Sequence, residues 1–318
     1  EEINKYKSGE DRDEYPNKHH LKDFFNSGSG IQTKHNLTFS GGIEDVQYLF
    51  SAGYLRKNGV VEQNYNDRYD LRLNVNSQLR DNFRLNVKLK GTVNDLEQPA
   101  RKDVFGTGGF NDLIEAAHTY TAIDAGKRSD GSYGIHMGHP VARCGLDSES
   151  FDNESSTRFT NNVMLEWDVI SSLTFTGRLG YVFDFGKSKL FGSLTDAGRG
   201  YVFEPSDMTI DWYQNHDLTL EGLVDYDKTF GNHHLHALGG YSQQVFQNHW
   251  TGGFRMNFPS NYLHYLDAAS TENDRNEENA TTVKLRSYFG RLNYSFKEKY
   301  LFEVNLRYDG SSRFAEEI

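Results

Sequence analysis

The sequence predicts an all-β protein, an antiparallel transmembrane β-barrel wall of about ten strands. Three observations carry that expectation. Apolar and polar residues alternate with a period of two along most of the chain. Short turns alternate with long connections. Aromatic residues sort to the two ends of the apolar rows.

The alternation is plainest over Arg68–Asn94. Tyr69, Leu71, Leu73, Val75 and Leu79 form one row, and Arg68, Asp70, Arg72, Asn74, Asn76 and Gln78 form the other. After a break at Arg80–Asn82, the apolar row Phe83, Leu85, Val87, Leu89, Val93 alternates with Arg84, Asn86, Lys88, Lys90 and Asn94. A period of two puts the rows on opposite faces of a strand, so this stretch predicts a long antiparallel hairpin. The chain has 318 residues, 14% aromatic, with 19 Tyr and 22 Phe, yet only 36% hydrophobic. Rich aromatics with a mean hydropathy of -0.73 suit strands whose second face is polar. No run approaches the ~18 apolar residues of a membrane helix. The net charge of -11 argues against nucleic acid as a partner.

Taken in order, residues 1–30 read as polar and irregular, an expected extracellular loop, and 31–318 as strands and loops. A strand at His35–Ser40 precedes a tight turn at Gly41-Gly42, then a strand at Val46–Leu55. The opening hairpin follows, then a connection over Asp95–Thr157 with a surface helix expected at Phe110–Ile123. A second hairpin carries Phe159, Val163, Leu165, Trp167 and Val169, turns at Ser171-Ser172, and returns through Leu173, Phe175, Leu179, Tyr181 and Phe183. A third turns near Phe230-Gly231-Asn232. On its return strand Leu238 competes with Leu235, Ala237 and Tyr241 for the apolar face. A fourth turns at Lys297–Lys299. Long connections are expected at 95–157, 185–216 and 246–280, all at one rim. Short turns at one rim and long loops at the other is the layout of an outer-membrane barrel. A soluble β-sandwich also alternates its faces. The sorting of aromatics favours the barrel. Phe83, Trp167, Tyr226, Phe296 and Tyr300 lie near short turns, and Tyr54, Tyr69, Tyr181 and Tyr308 near long loops, as membrane interfaces select.

Candidate chemistry is sparse. No Ser/His/Asp set or carboxylate pair stands out, so no enzyme is expected, and Gly106–Gly109 lacks the Lys-Ser/Thr of a phosphate loop. Cys144 is the single cysteine and reads as an incidental loop residue. His233, His234 and His236 cluster, but on a strand only His234 and His236 share a face. Asp147, Glu149, Asp152, Glu154 and Glu272, Asp274, Glu277, Glu278 supply oxygens that could hold calcium in acidic loops, though no cofactor is required. Aromatic residues at or beyond the loop-end strand termini, Trp212, Tyr213, Trp250, Tyr262 and Tyr265, are the candidates for ligand contact. Arg72, Arg84, Lys88 and Arg178 are expected to charge the polar wall.

Two clusters resemble a known family. His35–Gly42, Tyr48–Tyr54, Gly59-Val60-Val61 and Arg68–Asn74 form the first; Tyr288–Tyr294 with Asp309–Phe314 form the second. Asp130–Tyr133 and Pro140-Val141-Ala142 fit as well. Together they resemble the SusC/RagA family of TonB-dependent outer-membrane transporters. The resemblance implies a barrel of 22 strands around an N-terminal plug, energy from a TonB complex, a SusD-like surface lipoprotein over the mouth, and oligosaccharide or oligopeptide cargo. It also implies that this chain is an internal stretch of barrel, without plug, signal peptide or closing strand.

Overall fold

The computed structural model describes residues 1–20, 25, 30–61, 63–99, 118, 120–134, 149–196 and 202–314. Ten of its strands form one antiparallel sheet: β1 (Gln32–Ile43), β2 (Val46–Asn58), β3 (Tyr65–Arg80), β4 (Phe83–Gln98), β5 (Phe151–Ile170), β6 (Leu173–Gly192), β9 (Asp207–Phe230), β10 (His233–Met256), β11 (Arg275–Phe296) and β12 (Tyr300–Ser311). The short strands β7 (Thr195–Asp196) and β8 (Val202–Phe203) pair with each other in the connection between β6 and β9. Each of the ten pairs antiparallel with the next of the ten, β6 with β9 across the β7–β8 excursion, so the sheet is a meander.

The registers join the apolar rows. Leu85 pairs with Leu165, Val87 with Val163, and Val163 with Leu179, so one face stays apolar from strand to strand. The ambiguity in β10 is resolved the same way. Ala237 pairs with Tyr226 and Leu292 on the apolar face, while Leu238 pairs with Asp225 and Arg291 on the polar face. A β-sandwich would cover the apolar face with a second sheet. Among the described residues the only other sheet is the β7–β8 pair. Leu71 is accordingly 56% exposed, Trp167 48% and Leu306 72%.

The register also climbs. One ladder of partners runs from Gly41 through Tyr48, Val75, Val87, Val163, Leu179, Leu220, Gln243 and Arg286 to Gly310. It starts three positions from the turn residue Glu44 and ends eleven positions from the turn residue Lys299. The stagger is thus about one residue per strand, the oblique register that tilted strands have.

The structure moves several expected boundaries. The first turn is Glu44-Asp45, and Gly41 and Gly42 lie inside β1. Gly42 serves close approach instead: a Cβ there would stand 2.2 Å from the Val46 carbonyl oxygen. Residues 1–20 are not wholly irregular, since α1 spans Glu2–Ser8 and ends at Gly9 in the left-handed region (φ 61°). This segment docks on 120–134. Lys18 N–H donates to the Ala122 carbonyl at 3.1 Å, and buried His20 lies 3.0 Å from the Asp124 carbonyl oxygen. The helix expected at Phe110–Ile123 falls mostly outside the described residues, as do Cys144, Gly106–Gly109 and Pro140-Val141-Ala142.

The largest correction concerns the long connections. β6 runs to Gly192 and β9 starts at Asp207; β10 runs to Met256 and β11 starts at Arg275. The connections are therefore shorter and the strands longer than the alternation predicts. Beyond the apolar band both faces mix polar and aromatic residues, and a period of two loses its contrast. Among the described residues a buried cluster lies at this far end. Phe191 and Met208 are fully buried against Phe258 and Ala269, flanked by Phe151, Ile210 and Leu266, where the connection after β10 folds back on the sheet.

Candidate binding wall

The polar face of the sheet is the surface on which the candidate residues are held. All four expected cations lie on it, because each stands at an even position of β3, β4 or β6 opposite the apolar row. Arg84 donates to Asp168 at 2.8 and 3.3 Å and lies 3.5 Å from Glu166. Arg178 lies 3.6 Å from Glu221, one strand over. Arg72 and Lys88 have no carboxylate partner among the described residues. Lys88 lines a concavity of about 530 Å³ with Asn86, Asn162, Asp217 and the Arg178–Glu221 pair. The wall is therefore cross-braced by short ion pairs and open in between, and exposed pairs of this kind contribute only about 0–1 kcal/mol each. The histidines divide as their parity requires. His234 sits 3.0 Å from Asp227 and His236 2.8 Å from Asp225 on the polar face, while His233 packs on Phe296 across the sheet.

The five candidate aromatics do not form one group. Trp212, Tyr213 and Trp250 are strand residues, not loop residues. Trp212 points to the opposite face, 5.7 Å from the Phe185 ring and under the Lys187 ammonium at 4.7 Å. Tyr262 and Tyr265 lie in the connection after β10, 76% and 74% exposed, with Tyr265 beside the Lys189 ammonium. Tyr213 and Trp250 do come together. They are direct partners on the polar face, in a row that runs Ser156, Gly186, Tyr213, Trp250, Asn279.

Two glycines let these rings lie against the sheet. A Cβ on Gly186 would stand 2.2 Å from Tyr213 Cζ, and one on Gly252 would stand 2.9 Å from Trp250 Cζ2. The rings fill the space that side chains would take, which leaves a flat aromatic floor. The neighbouring rows supply its rim. Glu154, Asp211 and Glu277 lie on the loop side, and Arg158, Asp184, Asn215 and Asn248 on the turn side. Asn248 donates to Asn215 at 2.5 Å, and Arg158 lies 3.4 Å from Asp184. Burial raises the Asp211 carboxyl above its ordinary range, and the Glu277 charge adds to it. Burial likewise raises the Tyr213 phenol, with Glu154 and Asp184 contributing. An aromatic floor with amide and carboxylate edges can stack a ring face and both give and take hydrogen bonds.

Of the carboxylates considered for calcium, Asp152, Glu154, Glu277 and Glu278 are strand residues, Glu149, Glu272 and Asp274 lie in connections, and Asp147 lies outside the described residues. Asp152 and Glu154 share one face of β5, while Glu277 and Glu278 point to opposite faces of β11. Among the described residues no three metal-binding side chains converge. Asp309 is a β12 residue whose partners are Arg307 and Ser287.

A sheet of this length with one apolar face, one polar face and a steady stagger defines a class, and the class has known relatives. No family model matches the chain. TonB-dependent receptor P3 of Formosa agariphila is 29% identical over 92% of the chain, and TonB-dependent receptor SusC of Bacteroides thetaiotaomicron is 25% identical over 91%. The chain spans about three tenths of each relative's length (29% and 30%). The RagAB peptide transporter structure superposes with a TM-score of 0.70 over 94% of the chain and 34% of its own, at 19% identity, which speaks to the fold alone. These matches bear out the resemblance to TonB-dependent receptors of the SusC/RagA type.

Proposed function

We propose that this chain is wall of the barrel of an outer-membrane importer, energised through TonB, that takes up oligosaccharides or oligopeptides. The observation that carries the reading is the division of the sheet into two faces with, among the described residues, no second sheet over the apolar one. A stagger of about one residue per strand, at ~3.4 Å rise and ~4.8 Å strand spacing, corresponds to a tilt of roughly 35°, within the range of barrels. On β11 and β12 the partners Phe296–Tyr300 and Tyr288–Tyr308 bound the apolar row. At that tilt they stand roughly 22 Å apart along the normal, close to the ~25 Å apolar band of outer-membrane barrels. Closure to 22 strands around a plug follows from the family resemblance, as does a SusD-like lipoprotein over the loop rim.

On this reading cargo is captured at the loop rim and passes along the polar wall when the plug moves. The Tyr213–Trp250 floor would meet it first, and Arg72, Lys88 and the paired Arg84 and Arg178 would set the charge further in. These residues bind and steer; none performs a chemical step. The RagAB structure is named for peptide transport, and the family resemblance adds oligosaccharides, so both cargo classes belong in the test. The full-length protein is expressed in a host with and without its TonB system, and uptake of labelled oligosaccharide and oligopeptide panels is followed. Uptake that requires TonB and falls severalfold on Trp250→Ala supports the proposal. Partition of the full-length protein into buffer without detergent sinks it.

A further inference from the structure

Above the apolar band of β11 the same face carries two cations. Tyr241, Tyr288 and Tyr308 are partners across β10, β11 and β12. The next two outward positions of β11 are Arg286 and Lys284, both exposed. At the tilt above they stand roughly 6 and 11 Å beyond the tyrosine level. Their partners on β10 are Gln243 and Val245, and Gly310 stands opposite Arg286 on β12, so no side chain there fills the space beside the guanidinium.

On the polar wall Arg72 and Lys88 also lack a carboxylate among the described residues, but Arg84, Arg158, Arg178 and Arg307 each have one within ion-pair distance. Arg286 and Lys284 have none among the described residues. On their face of β11 the next acid is Glu278, which is held by His249 at 2.7 Å. A cation pointing toward lipid is costly in the hydrocarbon. One step past a tyrosine belt it reaches the headgroup level, where the charged end stays wet while its stem lies on apolar surface. The anion at that level is phosphate, and a guanidinium beside an ammonium suits it: Arg forms paired hydrogen bonds and Lys adds a point charge.

We propose that Arg286 and Lys284 form a docking site for the phosphate of an outer-leaflet lipid headgroup. The proposal rests on the membrane reading of the apolar face but not on cargo or on TonB. The site fixes the height of the wall on its lipid side and couples this part of the rim to the leaflet around it.

The test uses the full-length protein, delipidated in neutral detergent, and native mass spectrometry with added lipid A or with the same lipid after phosphatase treatment. Wild type should hold the phosphorylated lipid more tightly. Arg286→Gln and Lys284→Gln should each weaken that preference about fivefold, as ~1 kcal/mol per cation near a charged surface implies. Lys88→Gln, on the polar wall, should leave it unchanged. Heat-modifiable gel migration checks that each variant folds. If Arg286→Gln does not fold, Lys284→Gln carries the comparison. Equal retention of the two lipids overturns the proposal, as does wild-type preference in the glutamine variants. Competition by millimolar inorganic phosphate that abolishes lipid retention would also overturn it, by assigning the site to the free ion. A protein that inserts in membranes yet fails these comparisons loses the docking site and keeps its proposed function.

Discussion

At the scale of single residues, the account turns on which face a side chain occupies. Val87 pairs with Val75 and Val163 in the apolar row, while Asn74 sits on the polar face opposite Lys88. Val87→Arg should cost about 2–4 kcal/mol near the bilayer midplane, and Asn74→Asp should stay within about 0.5 kcal/mol, read by urea unfolding of the full-length protein into lipid vesicles. Gly186 is the residue that most directly tests the aromatic floor. Gly186→Ala puts a methyl where the Tyr213 ring lies, so cargo binding should fall as it does for Tyr213→Ala while the fold persists. Asp211 makes a pH-dependent case. Its carboxyl is raised by burial first and by Glu277 second, so its charged form opposes folding. That penalty is absent below the ordinary carboxylate value of 3.8 and complete once the pH exceeds the raised value. Asp211→Asn should therefore raise the melting temperature at pH 7 and leave it unchanged near pH 3. An equal shift at both pH values would show that charge is not the cause.

At the scale of elements, what the sequence reveals depends on contrast between faces. The β3–β4 hairpin was readable because Leu and Val alternate with Arg, Asn and Lys across its whole apolar band. The far ends of β6, β9 and β10 were not. There Lys187, Gln214, His216, Gln247 and His249 stand in rows that are apolar below, and polar and aromatic residues mix on both faces. The registers that hold these extensions come from their neighbours, not from their own alternation. The same limit applies to the binding wall. Parity separates Tyr213 from Trp212 once both are known to be strand residues, but only the register makes Tyr213 the partner of Trp250. The α1 helix escaped because a seven-residue polar segment carries no apolar period. The extensions have their own core, in which Phe191 and Met208 are fully buried. Phe191→Ala should cost about 3–5 kcal/mol of local stability. Amide exchange should then accelerate at 187–192 and 207–212 and stay unchanged at 173–181. Uniform acceleration along β6 would mean that the cap and the band unfold together.

At the scale of the whole molecule, the sheet has two long faces, and among the described residues neither is covered outside the cap at its far end. In water such a surface would be an aggregation site; in a bilayer, as proposed, lipid would solvate the apolar face and a wet interior the polar one. The stagger, the aromatic levels and the placement of the long connections at one rim all follow from that single assignment of faces. The most direct measurement is a nitroxide scan of the full-length protein in bilayers, one label at a time over 69–79 and 83–93. Collision with oxygen and with a water-soluble nickel complex is read at each position. The account predicts high oxygen and low nickel accessibility at the odd positions, including 71, 73, 85, 87 and 89, and the reverse at the even ones, with a period of two on both strands. Equal nickel access on both faces, or an oscillation of opposite phase, would contradict it.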